Sequence, residues 1–320
     1  MKFNSIKILV ILVFLIIMAG MLVNVDLPND SKETTKITMV IKSKYGTKWE
    51  LISAGAQAAA NEYGATLSIL APDYEKDIIS QKNLMLTAEK SDSSGIILAP
   101  IDDNSLSQVV TDVVNKGVPV MNIVTGTLNT NVYSDLSTNY VEVGYLLGKI
   151  IEEEIGSDGV IIIVSSEEGS FATNEKLEGL LSYLEKETEI VVSNTIYRSP
   201  EALSIERYFT SYLPTHKLNG IIMLDQITTI GVGNALKNID MSIGVAGTNI
   251  YEDELYLIES GYVDQVVDEN FFAIGYLAME NSVNMARDKS FITNRLISPY
   301  VINKRNMYDP DIEKIIFPIQ

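Results

Sequence analysis

The residue types in this sequence exclude several kinds of catalytic chemistry. The chain has no cysteine, so it contains no disulfide, no thiolate metal site and no cysteine nucleophile. Its one histidine, His216, lies in a loop-like stretch with a proline and polar neighbours, which indicates a surface residue rather than a general base. The loop at 42–49 contains Gly46 alone, whereas pyrophosphate binding needs Gly-x-Gly-x-x-Gly. We therefore predict a protein without enzymatic activity, cofactor or metal.

Charge and composition narrow the class of partner. The 320 residues carry a formal net charge of −18, and the sequence pI is near 4.5. Because no basic face is available to neutralise phosphates, nucleic acid is excluded as a partner. The apolar fraction of 46% over this length is enough for one large domain or two modest ones.

The clearest structural element in the sequence is a short apolar run bounded by glycine and proline. Elements of this kind must position any functional residues. The stretch Ser94–Pro100 contains four apolar residues after a glycine, which is typical of a strand buried on both faces. Apolar residues at helical spacing follow from Leu106 to Val114, and another β-branched run begins at Val118. This order predicts a βαβ unit.

The same unit recurs later in the chain. Gly95 and Gly220 are 125 residues apart, and so are Val118 and Ile243. Two earlier strand candidates also recur, at offsets of 123 and 124 residues. Constant spacing over four strands predicts an α/β fold of two similar Rossmann-like lobes. The alternative is two unrelated βαβ runs within one large sheet.

The N-terminus has the pattern of a targeting segment. Two lysines precede an uncharged and almost entirely apolar stretch at 8–25, so we predict a signal anchor or transmembrane helix over 1–25 and a linker over 26–35. The flanking lysines stay in the cytoplasm, which places the rest of the chain outside the membrane. A lipoprotein-like box ends in Met21 instead of cysteine, so lipid anchoring is excluded. The alternative is cleavage near Gly20, which would release a secreted or periplasmic protein.

Four motifs stand in a fixed order along the chain: Gly55-Ala-Gln57, Ser94–Pro100, Gly117–Val120 and Ser260–Asp264. Together they resemble the type I periplasmic sugar-binding proteins, of which the ribose-binding proteins are the best known. The similarity extends from about Ile37 to Ile316, and a hydrophobic segment stands where related repressors carry a DNA-binding helix-turn-helix.

The resemblance implies two Rossmann-like lobes joined by three crossovers, preceded here by an N-terminal hydrophobic helix. The ligand would bind at the carboxyl ends of the parallel strands. The lobes would close on it, with lobe 1 at 36–135 plus 270–297 and lobe 2 at 136–269 plus 298–320. The crossovers would fall near 134–139, 268–270 and 297–302.

The resemblance also implies a set of ligand-binding residues, in which several residue types differ from the ribose pattern. Trp49 keeps the stacking role of an aromatic pair, while Lys48 replaces its neighbour. A family Asp-Arg or Asp-Ser pair maps to Val124-Thr125, which lacks the carboxylate, and a family arginine is replaced by Asn174. The complete predicted set is Tyr45, Lys48, Trp49, Thr125, Asn174, Asp225, Asn249 and Glu269.

This set suits a hydroxyl-rich ligand, because an indole face contacts the C–H side of a pyranose while carboxylates and amides bind at its rim. Other roles stay open for three members: Trp49 as a core residue, Asp225 as a helix N-cap and Glu269 as an exposed crossover residue.

We therefore predict an extracytoplasmic solute-binding protein for a sugar or related polyol. It would present its ligand to a membrane sensor such as a histidine kinase, or to an ABC permease, and the retained anchor favours the sensor. The alternatives are a conventional ABC-transporter binding protein with a cleaved signal peptide, and an enzyme on the same fold.

Overall fold

The structure is a computed structural model that describes residues 35–102, 104–127, 130–288, 294–310, 312–313 and 317. The predicted anchor at 1–25 and nearly all of the predicted linker lie outside the described residues. Within the described part of the chain, no helix is both long enough and apolar enough to cross a membrane.

The first lobe is built on a six-stranded sheet whose strands all run parallel. Its strands are β1 (Lys36–Val40), β2 (Thr66–Leu70), β3 (Gly95–Leu98), β4 (Val120–Ile123), β5 (Ser134–Thr138) and β11 (Asn294–Ile297). Their order in the sheet is β11-β5-β4-β3-β1-β2. The helices of this lobe are α1 (Thr47–Glu62), α2 (Ile78–Lys90), α3 (Ser107–Asn115) and α9 (Phe271–Ala286).

The second lobe repeats the plan with the order β12-β10-β9-β8-β6-β7, and only β12 runs antiparallel to its neighbour. Its strands are β6 (Asp158–Ser165), β7 (Glu189–Tyr197), β8 (Gly220–Met223), β9 (Gly244–Thr248), β10 (Gln265–Asp268) and β12 (Tyr300–Asn303). Its helices are α4 (Tyr140–Ile155), α5 (Phe171–Glu187), α6 (Ala202–Tyr212), α7 (Gln226–Ile239) and the short α8 (Tyr256–Glu259).

The predicted internal repeat is confirmed. Strands β3 and β8, whose sequences recur 125 residues apart, occupy the same position in their respective sheets, and all four residues of each are buried. The same holds for β4 and β9. The alternative of one large sheet is therefore wrong.

The chain crosses between the lobes three times: after β5, after β10, and between β11 and β12. Strand β5 belongs to the first sheet as far as Thr138, so the expected lobe boundary at 135 falls inside a strand. Strands β11 and β12 lie in different sheets. Ser298-Pro299 separates them, because proline removes a ladder donor and restricts the residue before it.

Two pairs of closely packed helices fix the segments that follow the crossovers to their lobes. Helix α9 packs on α1 in the first lobe, and α4 packs on α5 in the second. A Cβ on Gly55 or Gly275 would lie within 2.0 Å of a carbonyl oxygen of the facing helix, and the same is true of Gly144 and Gly179. Glycine is required at these four positions because the backbones themselves are in contact. Each crossover helix is thereby fixed to a neighbouring helix of its lobe.

Candidate functional site

A cavity of about 190 Å³ lies between the two lobes at the carboxyl ends of their strands. The first lobe contributes the loop after β1 with the start of α1, and Phe271 at the start of α9. The second lobe contributes the residues that follow β6, β8, β9 and β10. We call this space the central cavity. Its position agrees with the general rule for ligand sites in parallel α/β sheets.

Six of the eight predicted ligand-binding residues line the central cavity. They are Tyr45, Lys48, Trp49, Asp225, Asn249 and Glu269. Thr125 instead lines a neighbouring cavity, next to the crossover after β5. Asn174 is exposed and lines neither cavity; its Nδ2 donates to the carbonyl of Gly169 at 3.5 Å. The structure therefore brings together the residues that follow β1, β8, β9 and β10, and leaves Asn174 apart.

The indole of Trp49 combines the two roles that the sequence left open. Trp49 is only 3% exposed and belongs to the hydrophobic core of the first lobe, yet it also lines the central cavity. The Lys48 ammonium lies 5.3 Å from the centroid of the Trp49 ring and 5.1 Å from that of Phe271. A cation at this distance is attracted to both ring faces. We call the rings of Trp49 and Phe271 the aromatic floor of the central cavity. Lys48 places a positive charge beside this floor, at the position where the family pair has an aromatic residue.

Asp225 is the N-cap of α7, as the alternative reading of the sequence proposed. Its Oδ1 accepts a hydrogen bond from the Thr228 backbone N–H at 3.0 Å. Its Oδ2 accepts from the Ser166 N–H at 2.6 Å and from the Ser165 hydroxyl at 3.1 Å. Charge-assisted bonds of this kind are strong. Asp225 thus connects the loop after β6 to the start of α7 and fixes one wall of the central cavity.

Glu269 forms a buried ion pair that the sequence did not predict. Its side chain is 2% exposed, so the alternative of an exposed crossover residue is wrong. The Lys176 ammonium, from a side chain that is 5% exposed, pairs with the Glu269 carboxylate and donates to the Leu224 carbonyl at 2.7 Å. Lys176 follows Thr173 by three residues and precedes Leu180 by four, on the buried stripe of α5. A lysine within such a stripe is the signal that could have identified it.

Glu269 is also fixed through its backbone to both neighbouring lobes. Its N–H donates to Asn249 Oδ1 at 2.9 Å, and its carbonyl accepts from the Thr138 hydroxyl at 2.7 Å. Asn249 has a φ of 52°, a left-handed conformation that asparagine adopts more readily than most residues. The crossover after β10 is thus bonded to the end of β9 and to the end of β5. A ligand that contacts Glu269 would act directly on the segment that joins the lobes.

Residues 37–290 match the periplasmic binding protein domain family. The chain belongs to the periplasmic binding protein family. It is 20% identical over 285 residues to the D-allose-binding periplasmic protein of Escherichia coli K12, covering 86% of this chain and 92% of that protein. These relatives are binding proteins, which confirms the prediction that the chain is not an enzyme.

Two solved structures share the fold of this periplasmic binding protein. One is a carbohydrate transporter solute binding protein from Agrobacterium radiobacter in complex with D-arabinose, with a TM-score of 0.81, 21% identity, and coverage of 89% of this chain and 100% of that chain. The other is the XylFII–LytSN complex, with a TM-score of 0.75, 24% identity, and coverage of 85% and 98%. The two-lobed type I fold expected from the sequence is confirmed.

Charges of both signs meet in the central cavity of this periplasmic binding protein. Glu167, which follows β6, lines the cavity and faces lysines of the first lobe. Burial acts to raise the pKa of Glu167, but the positive charges of Lys48, Lys176 and Lys42 outweigh it and lower that pKa. Glu167 therefore stays ionised, and it was absent from the predicted set.

For Lys42, which follows β1, burial outweighs the attraction of nearby carboxylates. Burial, with the positive charge of Lys48 next in size, lowers the pKa of Lys42 to about 8, although Glu167 and other carboxylates act against this change. Its ammonium donates to the Thr125 hydroxyl at 3.3 Å. The lining of the central cavity carries two lysines and four carboxylates, and Lys42 interacts with two of these carboxylates, Glu167 and Glu75, from outside the lining. The charged lining residues are Lys48, Lys176, Glu75, Glu167, Asp225 and Glu269.

Proposed function

We propose that this periplasmic binding protein binds a neutral sugar or related polyol in the central cavity, on the outer side of the cell membrane. The observation that carries the proposal is that ammonium groups and carboxylates both line the cavity, two lysines and four carboxylates around an aromatic floor. A hydroxyl group both donates and accepts hydrogen bonds, so it can accept from an ammonium group and donate to a carboxylate. An ionic ligand would instead leave one sign of buried charge unpaired, which costs free energy.

The size and the apolar surface of the cavity support the same class of ligand. Its volume of about 190 Å³ is below the roughly 300–1,000 Å³ of pockets that hold drug-sized ligands, which suits one small ring. Trp49 and Phe271 offer apolar area to the C–H face of such a ring. The relatives named for D-allose and D-arabinose bind molecules of this kind.

A thermal-shift screen of the full-length chain, in a detergent without a sugar headgroup, tests this proposal. The probes are D-allose, D-arabinose, further neutral sugars and polyols, with D-glucuronate and free amino acids as charged controls. A neutral ligand at 100 times its Kd should add about 2.7 kcal/mol to the free energy of unfolding and raise Tm. A shift with the charged compounds alone, or with no compound, would contradict the proposal.

The proposed membrane partner is a sensor such as a histidine kinase, with an ABC permease as the second candidate. The sensor is favoured by the predicted uncleaved segment at 1–25 and by the similarity to XylFII, which forms a complex with LytSN. The permease is favoured by relatives that are named as transporter binding proteins. Cell fractionation separates the two: uncut protein in the membrane fraction supports the sensor, whereas mature protein that begins near Met21 in the soluble fraction supports the permease.

A further inference from the structure

Asp268 is a buried carboxylate at a crossover between the lobes, and the proposed function does not use it. It is the last residue of β10, and the next residue, Glu269, lines the central cavity. Asp268 is 1% exposed, and its Oδ1 accepts a hydrogen bond from the Asn270 N–H at 2.7 Å. Its Oδ2 is buried and has no hydrogen-bond partner within the part of the chain that the structure describes. Such an oxygen in a native protein calls for an explanation.

Tyr251 lies next to this carboxylate and connects the two lobes. It stands in the segment that follows β9 of the second lobe, yet its ring belongs to the hydrophobic core of the first lobe, together with Trp49 and Phe271. Tyr251 is 3% exposed, and its hydroxyl lies close enough to Asp268 for each group to influence the pKa of the other. The burial of Asp268 therefore depends on a side chain that packs across the boundary between the lobes.

Hydrogen bonds lead from this carboxylate to a residue that lines the central cavity. The Tyr251 hydroxyl donates to Asn249 Oδ1 at 3.3 Å, and the same oxygen accepts from the Glu269 N–H at 2.9 Å. Asn249 lines the central cavity. A proton on Asp268 Oδ2 would make this oxygen a donor to the Tyr251 hydroxyl, which then keeps its own proton directed at Asn249. The ionised carboxylate would instead compete with Asn249 for that single proton.

Other titratable and charged groups approach this crossover from the elements packed against β10. The crossover itself contributes Glu269, whose negative charge disfavours ionisation of Asp268 and is paired with Lys176 of α5. The segment after β9, strand β12 and the start of α4 contribute one tyrosine each, and the end of α4 contributes two carboxylates that contact Gln265 at the other end of β10. In that order they are Tyr251, Tyr300, Tyr140, Glu153 and Glu154.

The affinity of Asp268 for a proton should change when the lobes move apart. Burial raises the pKa of Asp268 to about 6, and the negative charge of Glu269 acts in the same direction. The Tyr251 hydroxyl and the Asn270 N–H act against this change but do not outweigh it. Separation of the lobes would withdraw Tyr251 and admit water, which returns the pKa towards the ~3.9 of a hydrated aspartate. Because the closed state then binds the proton more tightly, acid favours closure.

We propose that Asp268 is a positioning residue that couples proton uptake to closure of the lobes, so that this protein binds its ligand more tightly at acidic than at neutral pH. The proton comes from solvent, binds Asp268 Oδ2 as the lobes close on the ligand, and returns to solvent when the ligand leaves. The inference rests on the proposed function, and it adds regulation by external pH to the same site.

Isothermal titration calorimetry on the full-length chain, at pH 5, 6 and 7 and in buffers of different ionisation enthalpy, tests this inference. The probes are D-allose, D-arabinose and any further neutral sugar that raises Tm. Binding at pH 6 should take up about half a proton, and Kd should rise about three- to tenfold from pH 5 to pH 7. This range lies below the pKa of Lys42, which is about 8.

Three variants assign the proton. Asp268→Asn should bind sugar without proton uptake and with a Kd that does not change with pH. Tyr251→Phe removes a group that lowers the pKa of Asp268, so the midpoint of the proton uptake should move to higher pH. Asp264→Asn is the matched control, because burial also raises the pKa of Asp264 to about 6 but its carboxylate bonds to the Val245 N–H within the second lobe. This variant should keep the proton uptake.

The outcomes separate this inference from the proposed function. Sugar binding with no proton uptake and a constant Kd would overturn the inference and leave the proposed function standing. Proton uptake that persists in Asp268→Asn, disappears in Asp264→Asn, or keeps its midpoint in Tyr251→Phe would overturn the assignment to Asp268. Binding of no neutral sugar, in a chain that unfolds cooperatively, would refute the proposed function and this inference together.

Discussion

The buried pair of Lys176 and Glu269 provides the sharpest test of how the site is built. In Lys176→Met the hydrocarbon stem is retained, but the ammonium that serves both the Glu269 carboxylate and the Leu224 carbonyl is lost. Both side chains of the pair are at most 5% exposed, so water cannot replace the missing charge. Breaking a buried ion pair from one side costs about 3–5 kcal/mol, and we expect a loss of stability in that range.

A double-mutant cycle measured by urea unfolding isolates the pair. Glu269→Gln alone should also destabilise, because it leaves the Lys176 ammonium buried without its counter-charge. The double variant should lose at least about 2 kcal/mol less than the sum of the two single variants. The control is Lys186→Met, at an exposed position on the same helix, which should change stability by less than about 0.5 kcal/mol. Additive losses, or a cost below about 1 kcal/mol for Lys176→Met, would refute this description of the site.

Three further perturbations follow from the same structure. Burial raises the pKa of Asp268 to about 6, above the ~3.9 of an unfolded chain, so the folded state binds this proton more tightly. The free energy of unfolding should therefore fall by up to about 3 kcal/mol as pH rises from ~4 to ~6, and Asp268→Asn should remove this part of the pH profile. The lowered pKa of Lys42, about 8, predicts the reverse: stability should rise as pH increases from 8 towards 10, and Lys42→Met should abolish that rise in pH-dependent melts. Gly179→Ala should cost at least about 2 kcal/mol in urea unfolding, because its Cβ would lie 2.0 Å from the Val141 carbonyl oxygen; an unchanged midpoint would contradict the close contact.

Most of the fold could be predicted from the sequence, because strands buried on both faces give short apolar runs between glycine and polar residues. The repeat of 125 residues is enough to locate β3, β4, β8 and β9 in the sequence. The apolar residues at 296–302 do not themselves reveal that β11 and β12 pair with different sheets, and the crossover between them was expected from the family resemblance instead.

Asp225, Asn249 and Glu269, which the family resemblance implied, lie at or near the ends of β8, β9 and β10. The ends of parallel strands meet at one edge of a sheet, so these predicted residues come together in the central cavity. Lys176 was missed because its role comes from burial and from the opposite charge of Glu269, and Glu167 was missed because its role comes from lysine charges supplied by other segments. Local sequence does not contain that information.

The central claim is that a neutral sugar binds between the lobes against the aromatic floor. Trp49 is the one tryptophan in the chain, so its emission reports on this cavity directly. Titration with a neutral sugar that raises Tm should change the emission saturably. The same titration of Glu167→Gln should give a Kd raised about tenfold or more, because a charge-assisted hydrogen bond from a sugar hydroxyl is weakened. A sugar that raises Tm yet leaves the Trp49 emission and the Glu167→Gln affinity unchanged would contradict the account, because it would then bind elsewhere.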